Sequence, residues 1–258
     1  MCGTELVETD LSEGILTLTF NRPEKRNALN LAMYAALAAG IRKGDDDDVV
    51  RVIMLTGSDD CFTSGNDLSD FLAAPPTGLD SPVMQFLLAL SQARKPIVAA
   101  VKGAAVGVGV TMLLHCELVY AGSGATFQMP FVDLGLCPEA GSTLLLPRLM
   151  GHQRAAELLL LGETFDAEKA REVGIVNAVY PDAYLLSAAR AKALQLAAQP
   201  AAAVRLAKSL LKREYADRLQ ETIAEEGAQF VARLKSPEAA EALQAFMQRR
   251  KPDFSRFA

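Results

Sequence analysis

Segments with the pattern of buried strands alternate with helical segments along the first two thirds of the chain, and this alternation most limits the possible folds. Residues 49–56 and 96–101 are rich in β-branched and other apolar residues, which is typical of strands covered on both faces. Residues 31–43 and 81–93 favour helices, and Asn30 is a suitable N-cap for the first of them. A strand–helix alternation predicts parallel strands with helices outside, and therefore an α/β fold.

The remaining elements extend the same prediction. Further strands are expected at residues 14–20, 119–121 and 125–128, and further helices at 107–116 and 142–150. From about residue 182 only helical patterns remain, at 183–198, 201–215, 219–234 and 237–250, with Pro200 and Pro237 where new helices would start. We therefore divide the chain into a core of residues 1–198 and a C-terminal helical region of residues 199–258, which acts as a lid or in oligomerisation. No internal repeat is evident.

Composition excludes several classes of protein. The net charge of −5 disfavours binding to nucleic acids or to anionic membranes. The four cysteines form no CxxC pair, so neither a disulfide framework nor a zinc site is predicted, and no metal ligands are assigned. The N-terminal residues do not resemble a signal or transit peptide, so a cytoplasmic protein is expected.

Two glycine-containing turns are the strongest candidates for a functional site. One spans residues 61–68 (CFTSGNDL), and the other spans 102–110 (KGAAVGVGV) between a strand and an apolar helix. Glycines allow the backbone to approach a ligand closely, and two facing turns could direct two amide N–H groups at one negative oxygen. A dinucleotide site is disfavoured because the third glycine of its motif is replaced by Met112. Taken alone, both turns could also be ordinary tight connections.

Five segments resemble the enoyl-CoA hydratase/isomerase (crotonase) superfamily in order and spacing, over roughly residues 7–205. They are residues 21–29 (NRPEKRNAL), 62–68 (FTSGNDL), 95–103 (KPIVAAVKG), 127–141 (FQMPFVDLGLCPEAG) and 162–176 (GETFDAEKAREVGIV). The resemblance implies a crotonase-like ββα spiral core, a C-terminal helical trimerisation region and a small-molecule acyl-CoA substrate. It implies no cofactor besides the coenzyme A carried by the substrate, and a homotrimer or a dimer of trimers.

The resemblance also implies roles for individual residues. It assigns the two oxyanion-hole amides to Ser64 and Val108. It assigns substrate contacts to the loop at residues 25–28, to the first glycine turn and to the second turn with its surroundings: Lys25, Arg26, Ala28, Ser64, Gly65, Asn66, Asp67, Leu68, Gly107, Thr111 and Phe131.

The carboxylates indicate which reaction of the family is expected. Thr111 and Phe131 occupy the positions where the resemblance places the two glutamates of hydratases, and neither side chain can act as an acid or base near neutral pH. Glu139 occupies the position of the single catalytic glutamate of 3,2-enoyl-CoA isomerases. Without the resemblance, Glu139 would be interpreted as an exposed residue near a helix N-terminus, where a negative charge is favourable.

The sequence therefore predicts an isomerase that converts 3-enoyl-CoA to trans-2-enoyl-CoA, with Glu139 as the acid and base. Three alternatives remain: another crotonase-type reaction such as hydration, thioester hydrolysis or a ring-modifying step; a non-catalytic acyl-CoA-binding protein; and a purely structural oligomer. Acyl chain length and pathway are not predicted.

Overall fold

The computed structural model describes residues 5–73, 78, 80–248 and 250–257, with only the backbone described for residues 71–73. Its strands are β1 Val7–Ser12, β2 Ile15–Phe20, β3 Val52–Gly57, β4 Cys61–Thr63, β5 Ile97–Val101, β6 Ala104–Val106, β7 Leu118–Gly122, β8 Thr126–Gln128, β9 Phe165–Asp166 and β10 Ala178–Tyr180. Its helices are α1 Leu31–Asp46, α2 Leu68–Ala73, α3 Pro82–Gln92, α4 Val108–Thr111, α5 Ser142–Met150, α6 His152–Leu161, α7 Ala167–Glu172, α8 Asp182–Ala197, α9 Ala201–Lys212, α10 Ala216–Leu234 and α11 Pro237–Met247.

The strands form two sheets. The first has the order β1-β2-β3-β5-β7-β10, with β1 and β2 antiparallel and all other neighbours parallel. The second has the order β4-β6-β8-β9, with only β8 and β9 antiparallel. Along the chain, β3, β5 and β7 of the first sheet are each followed at once by β4, β6 and β8 of the second sheet, and helical or 3-10 segments come before the next pair. This succession is the ββα spiral that the resemblance implied.

Both faces of the six-stranded sheet are covered, as the apolar strand patterns predicted. On one face, Ile53 and Leu55 of β3 lie in a core shared with helices α1 and α3, whose Tyr34 and Phe86 rings are 5.4 Å apart. On the other face, the alternate residues of β3 lie in a second core cluster with Leu185 and Ala189 of α8. Because side chains alternate across a strand, a sheet packed on both sides requires an uninterrupted apolar run.

Most predicted boundaries are confirmed within a few residues. Asn30 caps α1, accepting a hydrogen bond from the Met33 N–H at 2.9 Å. The predicted helix at 107–116 is only partly α-helical, since α4 covers its first turn and a 3-10 helix at Met112–His115 follows directly. Val, Gly and Thr are weak helix formers, so packing rather than propensity shapes this segment. The last predicted helix is shorter than expected, ending at Met247, and its predicted residue Arg249 lies outside the described residues.

Within the described residues, no helix combines the length and the apolarity required to cross a bilayer.

A glycine lies where the chain crosses from the first sheet to the second, and its substitution tests this topology. Gly103, between β5 and β6, has φ +63°, and a Cβ added there would lie 1.9 Å from the Asp60 carbonyl oxygen. Gly151 has φ +84°, but a Cβ there meets no atom of the described residues within 4 Å. We expect Gly103→Ala to lower the free energy of unfolding by about 1–3 kcal/mol more than Gly151→Ala, because only the first adds a backbone clash to the strain. Urea unfolding measures both, and equal losses would contradict the close passage.

Candidate active site

The two glycine turns lie against each other at the ends of β4 and β6. Gly65 has φ +90°, and a Cβ on it would lie 2.8 Å from the Val106 carbonyl oxygen. A Cβ on Gly109 would lie 2.6 Å from Cγ2 of Thr63. Larger residues at either glycine would push the turns apart, so this contact requires glycine at both positions.

The N–H groups of the first turn are not equally free. The Ser64 N–H donates to the Arg26 carbonyl at 3.0 Å, and the Gly65 N–H donates to Thr63 Oγ1 at 3.1 Å. The Asp67 N–H donates to the Leu29 carbonyl at 2.9 Å. The Asn66 N–H makes no hydrogen bond to any residue that the structure describes. The prediction that Ser64 supplies an oxyanion-hole amide was therefore wrong, because its N–H already holds the loop at Arg26, whereas the N–H of Asn66, next to Gly65, has no acceptor among the described residues.

The second turn presents the Val108 N–H. Gly107, with φ +56° and ψ −115°, donates its own N–H to the Gln128 carbonyl at 2.8 Å and turns the chain into α4. Val108 is the first residue of α4, so no residue of the helix can accept its N–H, and no other described residue does so. The predicted amide of Val108 is thus free to bind a ligand oxygen.

The loop at residues 21–28 is fastened to the first turn through a buried asparagine. Asn27, with φ +55°, donates from Nδ2 to the Cys61 carbonyl at 2.7 Å and accepts from the Arg22 N–H at 2.8 Å. Its own carbonyl accepts from Thr63 Oγ1 at 2.7 Å. Because every polar group of this side chain is engaged inside the protein, Asn27 fixes the loop against the turn.

An ion pair also joins this loop to the first turn. Arg22 Nη1 lies 2.6 Å from Asp67 Oδ2, and Asp67 Oδ1 also accepts from the Ser69 N–H at 3.1 Å. Partial burial raises the pKa of Asp67, but the hydrogen bonds from Ser69 and Arg22 and the charge of Arg22 outweigh it and hold the pKa below its usual value. From the sequence, Asp67 was predicted as a substrate contact, and Arg22 and Asn27 were not identified, although both lie in the matching segment 21–29.

The residues of the loop at 25–28 that were predicted to contact the substrate lie beside this turn. Lys25 and Arg26 are exposed, and Ala28 is partly buried. The Lys25 carbonyl accepts from Ser64 Oγ at 3.4 Å, so the two segments are adjacent. Two exposed cations next to a glycine turn form a surface suited to phosphate groups.

Glu139 lies inside the protein, only 5% exposed, in the turn before α5. Oε1 of its carboxyl group accepts a hydrogen bond of 3.0 Å from Thr111 Oγ1. Burial raises its pKa to about 7, the Glu226 charge adds to this, and the Thr111 hydrogen bond opposes it. Thr111 belongs to α4 and donates its N–H to Gly107, so the carboxyl group is joined to the second glycine turn. A carboxyl group with a pKa near neutrality can both accept and return a proton.

Tyr34 lies near the carboxyl group, and Phe131 lies at the second glycine turn. The Tyr34 hydroxyl donates to Asn66 Oδ1, and burial, followed by the negative charge of Glu139, raises the Tyr34 pKa well above its usual value. A Cβ on Gly107 would lie 3.9 Å from Phe131 Cε1, so the Phe131 ring faces the second turn. Tyr34 was not identified from the sequence, where it is one apolar position of α1 among several.

The residues that flank Glu139 hold its turn from two sides. Ala140 adopts φ +61°, unusual for a residue with a side chain, and its carbonyl accepts from His115 Nε2 at 2.7 Å. Burial, with a smaller contribution from the nearby Lys212, lowers the pKa of His115 to about 3, so the ring is neutral and Nε2 carries the donated proton. Glu226 of α10 accepts from the Gly141 N–H at 2.6 Å. The His115 side chain itself is buried.

No group of three or more His, Cys, Asp or Glu residues that could hold a metal ion occurs in the described part of the chain.

The raised pKa of Glu139 makes a testable contribution to stability. Between the usual value of 4.5 and about 7, the folded chain binds the proton of Glu139 more tightly than the unfolded chain does. The free energy of unfolding therefore falls as pH rises through this window, by up to about 3 kcal/mol from this group. Glu139→Gln keeps an oxygen acceptor for Thr111 and removes the titration. Urea unfolding at pH 5 and pH 8 measures the free energy of unfolding of both proteins. We expect the value for the variant, minus the value for the wild type, to be larger at pH 8 than at pH 5. A difference that does not depend on pH would contradict a raised pKa of Glu139.

Comparison with known proteins identifies the family. A family model described as Enoyl-CoA hydratase/isomerase matches residues 10–256. The chain is 35% identical to the 1,2-epoxyphenylacetyl-CoA isomerase of Escherichia coli (strain K12), over 97% of this chain and 98% of that protein. It is 32% identical to the enoyl-CoA delta isomerase 2 of Homo sapiens, over 96% of this chain and 64% of that protein.

A solved structure is similar over nearly the whole length. The structure of OdaA from Pseudomonas aeruginosa is 49% identical in sequence and superimposes with a TM-score of 0.92, covering 95% of this chain and 99% of that one. The chain therefore belongs to the enoyl-CoA hydratase/isomerase family and is an acyl-CoA enzyme of the crotonase type.

Proposed function

We propose that this protein is an enoyl-CoA isomerase that converts 3-enoyl-CoA to trans-2-enoyl-CoA, with Glu139 as the only acid and base. The observation that carries the proposal is the buried Glu139 carboxyl group, whose pKa is raised to about 7 and which is joined through Thr111 to a glycine turn with a free N–H. One group with a pKa near neutrality is sufficient for a reaction that takes and returns a single proton.

The reaction follows from this arrangement. The Glu139 carboxylate removes a proton from C2 of the 3-enoyl thioester, and the electron pair of the broken C–H bond delocalises over the C3–C4 double bond and the thioester carbonyl. The resulting dienolate bears its negative charge partly on the carbonyl oxygen, which accepts the N–H groups of Asn66 and Val108. The protonated Glu139 then returns the proton to C4, leaving the double bond between C2 and C3. Hydrogen bonds that strengthen as the charge develops lower the barrier.

Hydration is the less favoured reaction of the family. Holding a water molecule for attack would require a second carboxyl group beside Glu139. Thr111 and Phe131 cannot serve, and the carboxylate of Glu226 already accepts the N–H groups of Gly141 and Thr143. The alternatives are another crotonase-type reaction, such as hydration by a different acid, thioester hydrolysis or a ring-modifying step, and a non-catalytic role in acyl-CoA binding.

The substrate supplies coenzyme A itself, and we propose no further cofactor. Lys25 and Arg26 would bind its phosphates, and the first glycine turn would bind its pantetheine arm, which places the thioester at the two free amides. For the assembly we propose a homotrimer or a dimer of trimers in the cytoplasm. Exposed leucines on α9, Leu206, Leu210 and Leu211, support an apolar contact between subunits through the helical region.

Isomerase activity is tested with purified protein and 3-enoyl-CoA esters of several chain lengths. We expect conjugated 2-enoyl-CoA, detected by its ultraviolet absorbance, without a product heavier by one water in the mass spectrum. Glu139→Gln should lower kcat by about 10²–10⁴ while retaining ester binding, because only the proton transfer is lost. Hydrated or hydrolysed product would support another crotonase-type reaction. Binding without conversion, and without exchange of C2 protons with solvent, would support the non-catalytic alternative.

The oxyanion-binding role of Val108 is tested by removing its N–H. Proline is tolerated at the first residue of a helix, so Val108→Pro should fold while lacking this donor. We expect kcat to fall by about 10²–10³ relative to Val108→Ala, which keeps the N–H and controls for the altered side chain. Steady-state rates of the two variants measure the difference. Equal kcat values would remove Val108 from the oxyanion hole.

A further inference from the structure

We infer that Glu226, on helix α10 of the C-terminal helical region, is a positioning residue that holds the catalytic turn of Glu139. The inference rests on the proposed function, because it assigns Glu139 the proton transfer. It goes further by making the helical region part of the catalytic apparatus of its own chain.

Three hydrogen bonds from the turn converge on the Glu226 carboxylate. Oε2 accepts the Gly141 N–H at 2.6 Å, and Oε1 accepts the N–H of Thr143 at 2.9 Å and its hydroxyl at 2.5 Å. The two N–H groups lie at the start of α5, where no residue of the helix can accept them. A carboxylate from a distant part of the sequence therefore completes the end of this helix, two residues after Glu139.

The packing around these hydrogen bonds is close. Gly141 has φ +74°, and a Cβ on it would lie 2.3 Å from Leu219 Cδ1 and 3.4 Å from Ile223 Cγ1, both on α10. On the opposite side, His115 holds the Ala140 carbonyl at 2.7 Å. The two residues that follow Glu139 are thus clamped between α10 and the 3-10 turn after α4, which fixes the direction of the Glu139 side chain.

The charge of Glu226 also acts on Glu139. Each element around the Glu139 carboxyl group presents a distinct group: the Tyr34 phenol from α1, the Thr111 hydroxyl from α4, the neutral His115 ring from the 3-10 turn and the Glu226 carboxylate from α10. Cys137, two residues earlier in the same turn, is a thiol whose pKa is raised by burial and then by the Glu226 charge, so it is neutral. Burial raises the pKa of Glu226 itself, and the hydrogen bonds from Thr143 and Gly141 oppose this rise. In its ionised form, Glu226 opposes ionisation of Glu139 and helps to keep the pKa of Glu139 near neutrality.

Glu226→Gln tests this role, with Glu225→Gln as the matched control. Glutamine has nearly the same shape, but it lacks the charge and has one oxygen instead of two to accept N–H groups. Glu225 lies on the same turn of α10 and is exposed, so its replacement removes an equal charge, and no hydrogen bond among the described residues joins it to the Glu139 turn. We expect Glu226→Gln to lower kcat about 10- to 100-fold with KM changed less than threefold, and to move the acidic limb of the pH profile, where Glu139 must be ionised, to lower pH. Glu225→Gln should leave both unchanged.

A second readout does not depend on the reaction. The pKa of Glu139 is measured by ¹³C NMR of protein labelled at glutamate carboxyl carbons, with the resonance assigned by its absence in Glu139→Gln. A lower Glu139 pKa in Glu226→Gln, with no isomerase activity in the wild type, would reject the proposed reaction and retain the positioning contact. An active wild type with unchanged kcat, pH profile and Glu139 pKa in Glu226→Gln would overturn the inference.

Thr143→Ala provides a variant that disturbs the clamp less. It removes one of the three hydrogen bonds to Glu226 and leaves the charge in place. We expect a smaller fall in kcat, with the pH profile unchanged. Thr143→Ala decides the question if Glu226→Gln does not fold. A kcat of Thr143→Ala equal to that of the wild type would overturn the inference, and a two- to tenfold lower kcat would support it.

Discussion

The contact between the two glycine turns is the constraint on which the rest of the site depends. Gly65 lies against the Val106 carbonyl, and Gly109 lies against Thr63, at distances that no larger residue would allow. The turns occupy equivalent places in successive ββα units, because β4 and β6 are neighbouring parallel strands. Parallel neighbours end at the same edge of a sheet, so two loops distant in sequence present their amides to one place.

Burial of a single carboxyl group then gives the site its chemistry. An exposed glutamate is ionised at neutral pH and is a weak base, whereas the environment of Glu139 raises its pKa to about 7. The helical region contributes to this environment, since α10 closes over the turn and supplies Glu226 to the start of α5. Fold and reactivity are linked here, because the contacts that bury Glu139 also raise its pKa.

The sequence predicted the spiral architecture, the helical region and the turn that bears Glu139. Those features rest on long apolar patterns and on five segments in a fixed order, which are robust signals. It did not predict β4 and β6, which lie within the two glycine turns rather than in apolar runs. It also assigned an oxyanion amide to Ser64, whose N–H is bonded to the Arg26 carbonyl, whereas the Asn66 N–H has no acceptor among the described residues. Which N–H of a turn is free depends on the bond between Ser64 and Arg26, a contact made by distant parts of the chain. Tyr34 and Glu226 were missed for the same reason, since only the tertiary structure brings them to Glu139.

The central claim is that one buried carboxyl group carries the same proton from C2 to C4. It is tested most directly with a 3-enoyl-CoA deuterated at both C2 positions, converted in ordinary water and stopped early, with the label located by mass spectrometry and NMR. Glu139 is only 5% exposed, so exchange of its proton with solvent should compete with, rather than precede, its return to the substrate. The account predicts a 2-enoyl-CoA product with measurable deuterium at C4. Product with deuterium remaining at C2 and none at C4 would contradict it and would require separate groups to remove and to return the proton.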